Sequence, residues 1–257
     1  MKKIATWNVN SLRVRLPQLL EWLGREQPDV LALQETKIED AKFPVAELTA
    51  AGYRAVFSGQ KAYNGVAILS RIEADNALTD PVGFDDPQRR ILAATVGNLR
   101  VVNLYVPNGG EVGSDKYAYK LNWLLKIRDW LREELERHPQ LVVLGDFNIA
   151  PEDRDVYDPD GWREKILCST PERMAFRALL DLGLADAIRC FDQPGPCYTW
   201  WDYRMNGFRR NLGLRIDHIL VSPSLRATCL ACWVDVTLRG LERPSDHAPV
   251  VAEFGCD

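Results

Sequence analysis

Polar residues that call for a chemical reason collect at the edges of apolar runs: Asn8, Asn10, Gln34, Glu35, Tyr105, Asn108, Asp146, Asn148, Asp217, Asp246 and His247. A strand that stops at a carboxylate or an amide presents that group at the rim of its sheet. Several strands doing so at one rim would build a polar pocket on a rigid scaffold. Any one of these groups is equally well explained by a local backbone hydrogen bond. The set is harder to explain that way, because its members are chemically matched. Glu35, Asp146, Asp217 and Asp246 are carboxylates, and carboxylates brought close together repel unless a cation sits among them. Oxygen donors with amides suit a hard cation, Mg²⁺ with Mn²⁺ as a substitute. No His/Cys cluster has the spacing of a zinc site. Mg²⁺ keeps several waters and usually works with substrate phosphates, so the set points to phosphoester chemistry. His247 directly follows Asp246. A regular strand would turn the two to opposite faces, whereas a loop can bring them together. A carboxylate would orient His247 there, and Asp217 is the best candidate. His138 and His218 read as satisfied structural histidines, with His138 at a helix C-terminus where a cation is favoured.

The elements that must position these groups alternate along the chain. KKIATWNV reads as a strand, and Leu16, Leu19, Leu20 and Leu23 then recur at helical spacing until Pro28. DVLALQ is a buried strand. Residues 53–70 give two strands around GQKAYNG, and ILAATVG pairs with LRVVNLYV across a Gly97–Asn98 turn. A long helix is expected over about Tyr119 to Arg137, followed by the strand LVVLGDFN. Thr170 is expected to cap the next helix, with Pro171 at its first position and Leu179, Leu182 and Gly183 at its end. GLRIDHILVS, TCLACWVDV and APVVAEF read as further strands. Strands outnumber helices, yet helices separate several of them. Two packed sheets with helices outside would bury both faces of each sheet. The expectation is an α/β fold in one domain covering residues 1–257.

Composition permits this reading. Hydrophobic residues make up 46% and charged residues 26% of the 257, ordinary for a soluble globular protein. No apolar run reaches the length of a membrane span. The start, MKKIATWNVN, lacks the apolar core of a secretion signal, so a cytoplasmic protein is expected. The six cysteines, Cys168, Cys190, Cys197, Cys229, Cys232 and Cys256, are then expected as reduced thiols. Cys229 and Cys232 form a CxxC, half of a zinc site or a redox pair. No second CxxC partners it, and within TCLACWV packed thiols are the better reading. The net charge of −4 argues weakly against a nucleic-acid binder. An acidic metal cluster lowers that total while a basic rim still faces phosphates.

The motifs WNVN (7–10), LQETK (33–37), GQKAYNGVAIL (59–69), NLYVPNG (103–109), LGDFNIAP (144–151), GLRIDHILVS (213–222) and SDHAPV (245–250) follow one another nearly end to end. Together they resemble the ordered motif set of the exonuclease III family of abasic-site endonucleases. The wider class is the endonuclease/exonuclease/phosphatase superfamily, to which pancreatic DNase also belongs. LQETK, YVPNG and GLRID point to the exonuclease III branch rather than to lipid phosphatases. The resemblance implies a DNase I-like, four-layer α/β sandwich of two stacked mixed sheets flanked by helices. It implies Glu35 as principal metal ligand, with Asn8 and Asp246 supporting the metal site. It implies that Asp146 activates the attacking water and Asn148 positions it. Tyr105 and His247 would then meet the scissile phosphate, with Asp217 orienting His247.

The same resemblance makes Trp200, Leu214 and Ile216 an apolar pocket for a base-less sugar, although YTWWDY also reads as core aromatics. Adjacent Trp200 and Trp201 cannot both face inward on a strand. Arg204, Arg209, Arg210 and Arg215 nearby read either as a solvated loop or as a DNA rim. Arg13, Lys61, Arg90, Asn108 and Lys116 sit in other matching loops as candidate DNA contacts. Glu111 stands where some family members carry an arginine that enters the DNA, and the 154–168 loop varies in length within the family. The implied activity is Mg²⁺-dependent hydrolysis of duplex DNA at abasic sites or 3′ ends by a monomer. The competing reading is a phosphoesterase of the same superfamily acting on a lipid or another small phosphoester.

Overall fold

The apolar runs become strands because nearly every one is buried on both of its faces. The computed structural model describes residues 2–79, 81, 84 and 86–255. The first half of the chain forms β1 (Lys2–Asn8), α1 (Leu12–Glu26), β2 (Val30–Gln34), α2 (Val45–Ala50), β3 (Arg54–Ser58), β4 (Val66–Ser70), β5 (Ala74–Leu78), β6 (Ile91–Val96) and β7 (Leu99–Tyr105). The second half forms α3 (Asp115–Arg137), β8 (Leu141–Asp146), α4 (Pro159–Trp162), α5 (Thr170–Leu180), β9 (Ala185–Asp186), β10 (Trp200–Trp201), β11 (Gly213–Leu214), β12 (Asp217–Val221), α6 (Pro223–Thr228), β13 (Cys229–Val234) and β14 (Val250–Phe254).

The first six-stranded sheet runs β13-β14-β1-β2-β4-β3, and the second runs β5-β6-β7-β8-β12-β9. Both are mixed: β1 lies parallel to β2, and β7 parallel to β8, while the other pairings are antiparallel. Side chains alternate across each strand as the pleat demands. Ile4, Ala32 and Ile68 of the first sheet meet Leu92, Val101, Leu144 and Ile219 of the second between the sheets. On the outer faces, Trp7, Leu31 and Leu33 are covered by Leu19, Trp22 and Leu23 of α1. Val102, Val143 and Leu220 are covered by Trp123 and Ile127 of α3 and Phe176 of α5. The result is the expected four-layer sandwich. Each fully buried Leu or Phe contributes about 1.5–3 kcal/mol, so the rim above these layers sits on a rigid base.

Several boundaries differ from the sequence reading for identifiable reasons. The strand β5 was not anticipated; its sequence ADNAL lies at a sheet edge with an exposed middle, so it lacks an apolar signal. The helix α3 starts at Asp115, earlier than Tyr119, because the Ser114 side chain caps it by accepting from the Tyr117 N–H. The N-cap of α5 is Ser169 rather than Thr170, in a capping box with Glu172. GLRIDHILVS splits in two: β11 pairs with β10 in a small separate ribbon, and β12 joins the second sheet.

Cys229 and Cys232 lie in β13 as free thiols, with Cys232 buried. Burial pushes the Cys229 thiol up to about 11 and Cys232 well above its usual value, so both stay protonated at neutral pH. Cys256 lies outside the described residues. Changing Cys229 and Cys232 together to Ser should leave activity and metal dependence unaltered and lower stability by about 1–3 kcal/mol. Stoichiometric zinc in the purified protein, lost in the double variant, would overturn the packed-thiol reading.

Candidate active site

The parallel strands β1 and β2, and β7 and β8, all end at one rim, where β12 begins. Asn8 closes β1, Glu35 follows β2, Tyr105 closes β7, Asp146 closes β8 and Asp217 opens β12. The loop before β14 brings Asp246 and His247 to the same place. Gly145 lets β8 approach β7 just before Asp146: at φ +141 a Cβ there would lie 1.9 Å from the Leu104 carbonyl oxygen. Past the strand ends, Asn10, Glu35 and Asn148 adopt left-handed backbone at φ 43, 50 and 50. Non-glycine residues hold that conformation when their surroundings fix it, often at functional sites.

The side chains converge tightly. The Asn8 Nδ2 donates to Glu35 Oε1 at 2.8 Å and to Asp146 Oδ2 at 2.9 Å. The Asn148 N–H donates to Asp146 Oδ1 at 2.9 Å, and its Nδ2 lies 3.2 Å from Asp146 Oδ2. His247 Nδ1 lies 2.8 Å from Asp217 Oδ2, leaving Nε2 facing the site 3.9 Å from Asp146 Oδ2. Ligand atoms of Glu35, Asp146 and His247 lie within 4.8 Å of one another. Asp246 stands apart from that trio. Its two oxygens accept from Asn10 Nδ2 at 2.8 Å and Trp200 Nε1 at 2.9 Å.

Burial pushes the Asp146 carboxyl up; His247 opposes this and the Asp217 and Glu35 carboxylates reinforce it, leaving Asp146 raised to about 7. Burial works against charge on His247, but Asp217 and Asp146 outweigh it and raise the imidazole to about 10. Burial also opposes charge on Glu35, yet Lys37 and the Asn8 amide hold it below the usual carboxylate range. Burial and then Glu35 push the Tyr105 phenol well above its ordinary value. At neutral pH the rim therefore presents an imidazolium, a neutral phenol donor, an ionised Glu35 and an Asp146 close to the midpoint of its titration.

Residues 5–247 match the Endonuclease/Exonuclease/phosphatase family. The chain belongs to that family. Within it, the chain stands in the exonuclease III branch. An exodeoxyribonuclease III of Haemophilus influenzae is 36% identical over 98% of this chain and 99% of its own length. A solved 3′ phosphatase from Neisseria, in a D146N form bound to product DNA hairpin, is 53% identical with a TM-score of 0.98, both chains covered in full. An AP endonuclease from Archaeoglobus fulgidus is 40% identical with a TM-score of 0.95, again over 100% of both chains.

On this family scaffold the remaining expected residues are placed unevenly around the rim. Asn108 is exposed, and its Nδ2 donates to Asn148 Oδ1 at 3.1 Å. Arg90 is half-buried, with its guanidinium 4.5 Å over the Tyr105 ring and bonded to the Tyr105 carbonyl at 3.2 Å. Arg13 and Lys61 line one cleft of about 510 Å³ together with Lys37 and Lys42. Lys116 and Arg209 are exposed. Trp200 pairs through its backbone with Leu214 and with His247, and its Nε1 donates to Asp246 Oδ2 at 2.9 Å beside the rim. Leu214 and Ile216 are packed shut, 0% and 2% exposed, against Ala150, Val156, Leu167 and Cys168. Trp201 is buried, as the alternation requires.

Arg215 corrects the reading of a four-arginine rim: it is buried, pairing with Asp155 and Asp186 at 2.7 Å each. Arg204 is occupied by Asp202. His218 is a satisfied core histidine between Arg215 and the Ile149 carbonyl, with burial and then Arg215 lowering it to about 4. His138 caps the end of α3 near Glu134.

Sequence reasoning assigned no role to two residues that shape the site. Lys37 Nζ lies 2.9 Å from Glu35 Oε2, and the positive charge two places after a candidate ligand was the available signal. Asn103 is a polar residue inside the apolar run LRVVNLYV. It spans the two sheets, donating to the Leu33 and Ala67 carbonyls at 2.9 Å and accepting from Gln34 Nε2 at 2.7 Å.

Proposed function

We propose that this nuclease hydrolyses duplex DNA at abasic sites and 3′ ends, removes 3′ phosphates, and uses Mg²⁺, with Mn²⁺ able to substitute. In this reading the enzyme acts as a cytoplasmic monomer in base excision repair, with residues 1–257 as one catalytic domain. Among the described residues, no helix is long and apolar enough to cross a membrane. The observation that carries the proposal is the buried Asp146–His247–Asp217 array beside Glu35, with Asn148 bonded to Asp146.

The donor set fits a hard cation. Glu35, Asp146 and His247 bring ligand atoms within 4.8 Å of one another, two of the three being carboxylates, and Asp146 is raised partly by the neighbouring carboxylates Asp217 and Glu35. Glu35 would hold the ion, with Asn8 beside it and Asp246 supporting the site from outside the trio through its bond to Asn10. When bound, the cation neutralises charge developing on the phosphate and the leaving 3′ oxygen. The protein supplies the rest. Asp146 accepts the proton of the attacking water, and Asn148 steers that water. His247 Nε2–H and the Tyr105 hydroxyl donate to the non-bridging phosphate oxygens, where charge grows in the transition state. Trp200 and the cations Arg13, Lys61, Arg90, Lys116 and Arg209 contact the duplex. Cleavage 5′ to a lesion leaves a 3′ hydroxyl for a polymerase.

The test is a labelled-oligonucleotide panel with an abasic site, a 3′ phosphate and a recessed 3′ end. Turnover should vanish in EDTA and return with Mg²⁺ or Mn²⁺. Full nuclease activity in chelator would remove the metal from the scheme. Turnover of a lipid phosphoester without any of DNA would replace the substrate class.

A further inference from the structure

Lys120 of α3 and Glu172 of α5 form an ion pair in which neither side chain is exposed to solvent. Each lies in helical register with apolar core residues. Lys120 precedes Trp123, Leu124 and Ile127, and Glu172 precedes Phe176 and Leu179. An apolar pair of similar volume would hold two helices together at least as well, because burying charge is costly. What calls for explanation is therefore where the bonds go. The ammonium has three N–H donors. They reach Glu172, the Asn148 carbonyl at 2.7 Å and the Asn108 carbonyl at 3.1 Å. Glu172 in turn accepts from the Leu167 N–H at 3.1 Å, the Ser169 N–H at 3.1 Å and the Ser169 hydroxyl at 2.6 Å.

The pair thus ties together the turns after β7 and β8 and the segment before α5. Two of those turns carry residues of the site. Asn148 sits in left-handed backbone at φ 50, and its side chain contacts Asp146, Asn108 and the Val106 carbonyl. We infer that Lys120 is a positioning residue: by gripping the Asn148 and Asn108 carbonyls, it holds the turn in which the Asn148 amide faces Asp146. A cation does this better than a neutral donor because charge-assisted hydrogen bonds are shorter and stronger. The inference rests on the reading of Asn148 as the residue that steers the attacking water.

The test uses the neutral double variant K120M/E172Q, which removes both charges together so that neither is left buried alone. Kinetics are measured well below its melting temperature. The expected result is a kcat at least tenfold below wild type with DNA affinity within threefold. The decisive comparison is with N148A. If Lys120 works through Asn148, adding K120M/E172Q to N148A costs less than a further threefold in kcat, since interacting groups fail to add. A folded K120M/E172Q with wild-type kcat overturns the inference, and so does a full multiplicative loss in the N148A background. N148A with wild-type turnover would overturn the role of Asn148 in the proposed function and this inference with it, whereas a slow N148A beside a wild-type K120M/E172Q would overturn this inference alone. Should the double variant fail to fold, E172Q alone decides. It keeps Lys120 and both carbonyl bonds, so its kcat should fall by no more than threefold while its melting temperature drops. A tenfold loss in E172Q would show that activity follows the charge pair and would overturn the tether.

Discussion

Asp146→Asn is expected to abolish cleavage while leaving DNA affinity unchanged or raised. Asp146 is placed as the proton acceptor for the attacking water, so its loss removes chemistry made only in the transition state. General-base catalysis contributes about 10²–10⁴-fold, and a neutral amide cannot accept the proton. Donors from Asn8 and Asn148 meet both Asp146 oxygens, so an amide of the same shape keeps one of the two acceptors, and the fold of the variant is checked beside its activity. Removing a carboxylate that is already pushed up to about 7 by burial also relieves repulsion toward a phosphate in the ground state. The Neisseria relative solved in its D146N form bound to product DNA hairpin shows that such a variant of that protein holds DNA. Arg90→Ala or Lys61→Ala should behave in the opposite way. Binding would weaken and its salt dependence become shallower, by about one phosphate contact. A binding assay run beside a cleavage assay separates the two classes. If Asp146→Asn, still folded, lost binding as severely as cleavage, a metal-holding or binding role would take the place of the general base.

How far the sequence foretold this site depends on how local each signal is. Asp146 and Glu35 were legible because each terminates a run buried on both faces, where a carboxylate has no packing role. Asp217 could be proposed as the partner of His247 from their chemistry and was singled out again by the ordered motifs, but the contact itself forms by folding across 30 residues. The sheets were legible from apolar runs, but β5, at an exposed edge, carries too little apolar surface to register. The helix starts were displaced because side-chain caps, Ser114 and Ser169, decide them, and the first turn of α3 is largely polar. Arg215 was misplaced for a related reason. It lies in a basic segment, but the acidic partners that draw it inward, Asp155 and Asp186, are 60 and 29 residues away. Lys120 and Glu172 are 52 residues apart, and each alone reads as an ordinary helix charge. Their apolar register was the one local sign that they point inward.

His247→Asn should lower kcat by roughly a hundredfold or more while the fold stays intact. The side chain is 4% exposed; among the described residues its hydrogen bond is made through Nδ1, to Asp217, and Nε2–H faces the site, 3.9 Å from Asp146. Asparagine keeps a polar group near Asp217 but cannot place a positive charge at the Nε2 position. Asp217→Asn should give a milder loss, because it acts through His247. It should also change the pH profile in a defined direction. His247 is faced by Asp217 from β12, Asp146 from β8, Glu35 after β2 and its neighbour Asp246. Against the opposing effect of burial, Asp217 does most among them to raise His247 to about 10. With Asp217 neutral, the imidazolium gives up its proton at lower pH, so activity should begin to fall at lower pH than in the wild type. A purely structural Asp217 would lower activity equally at every pH. Wild-type turnover in His247→Asn would make His247 a packing residue, and an unshifted alkaline limb in Asp217→Asn would break the link between the two.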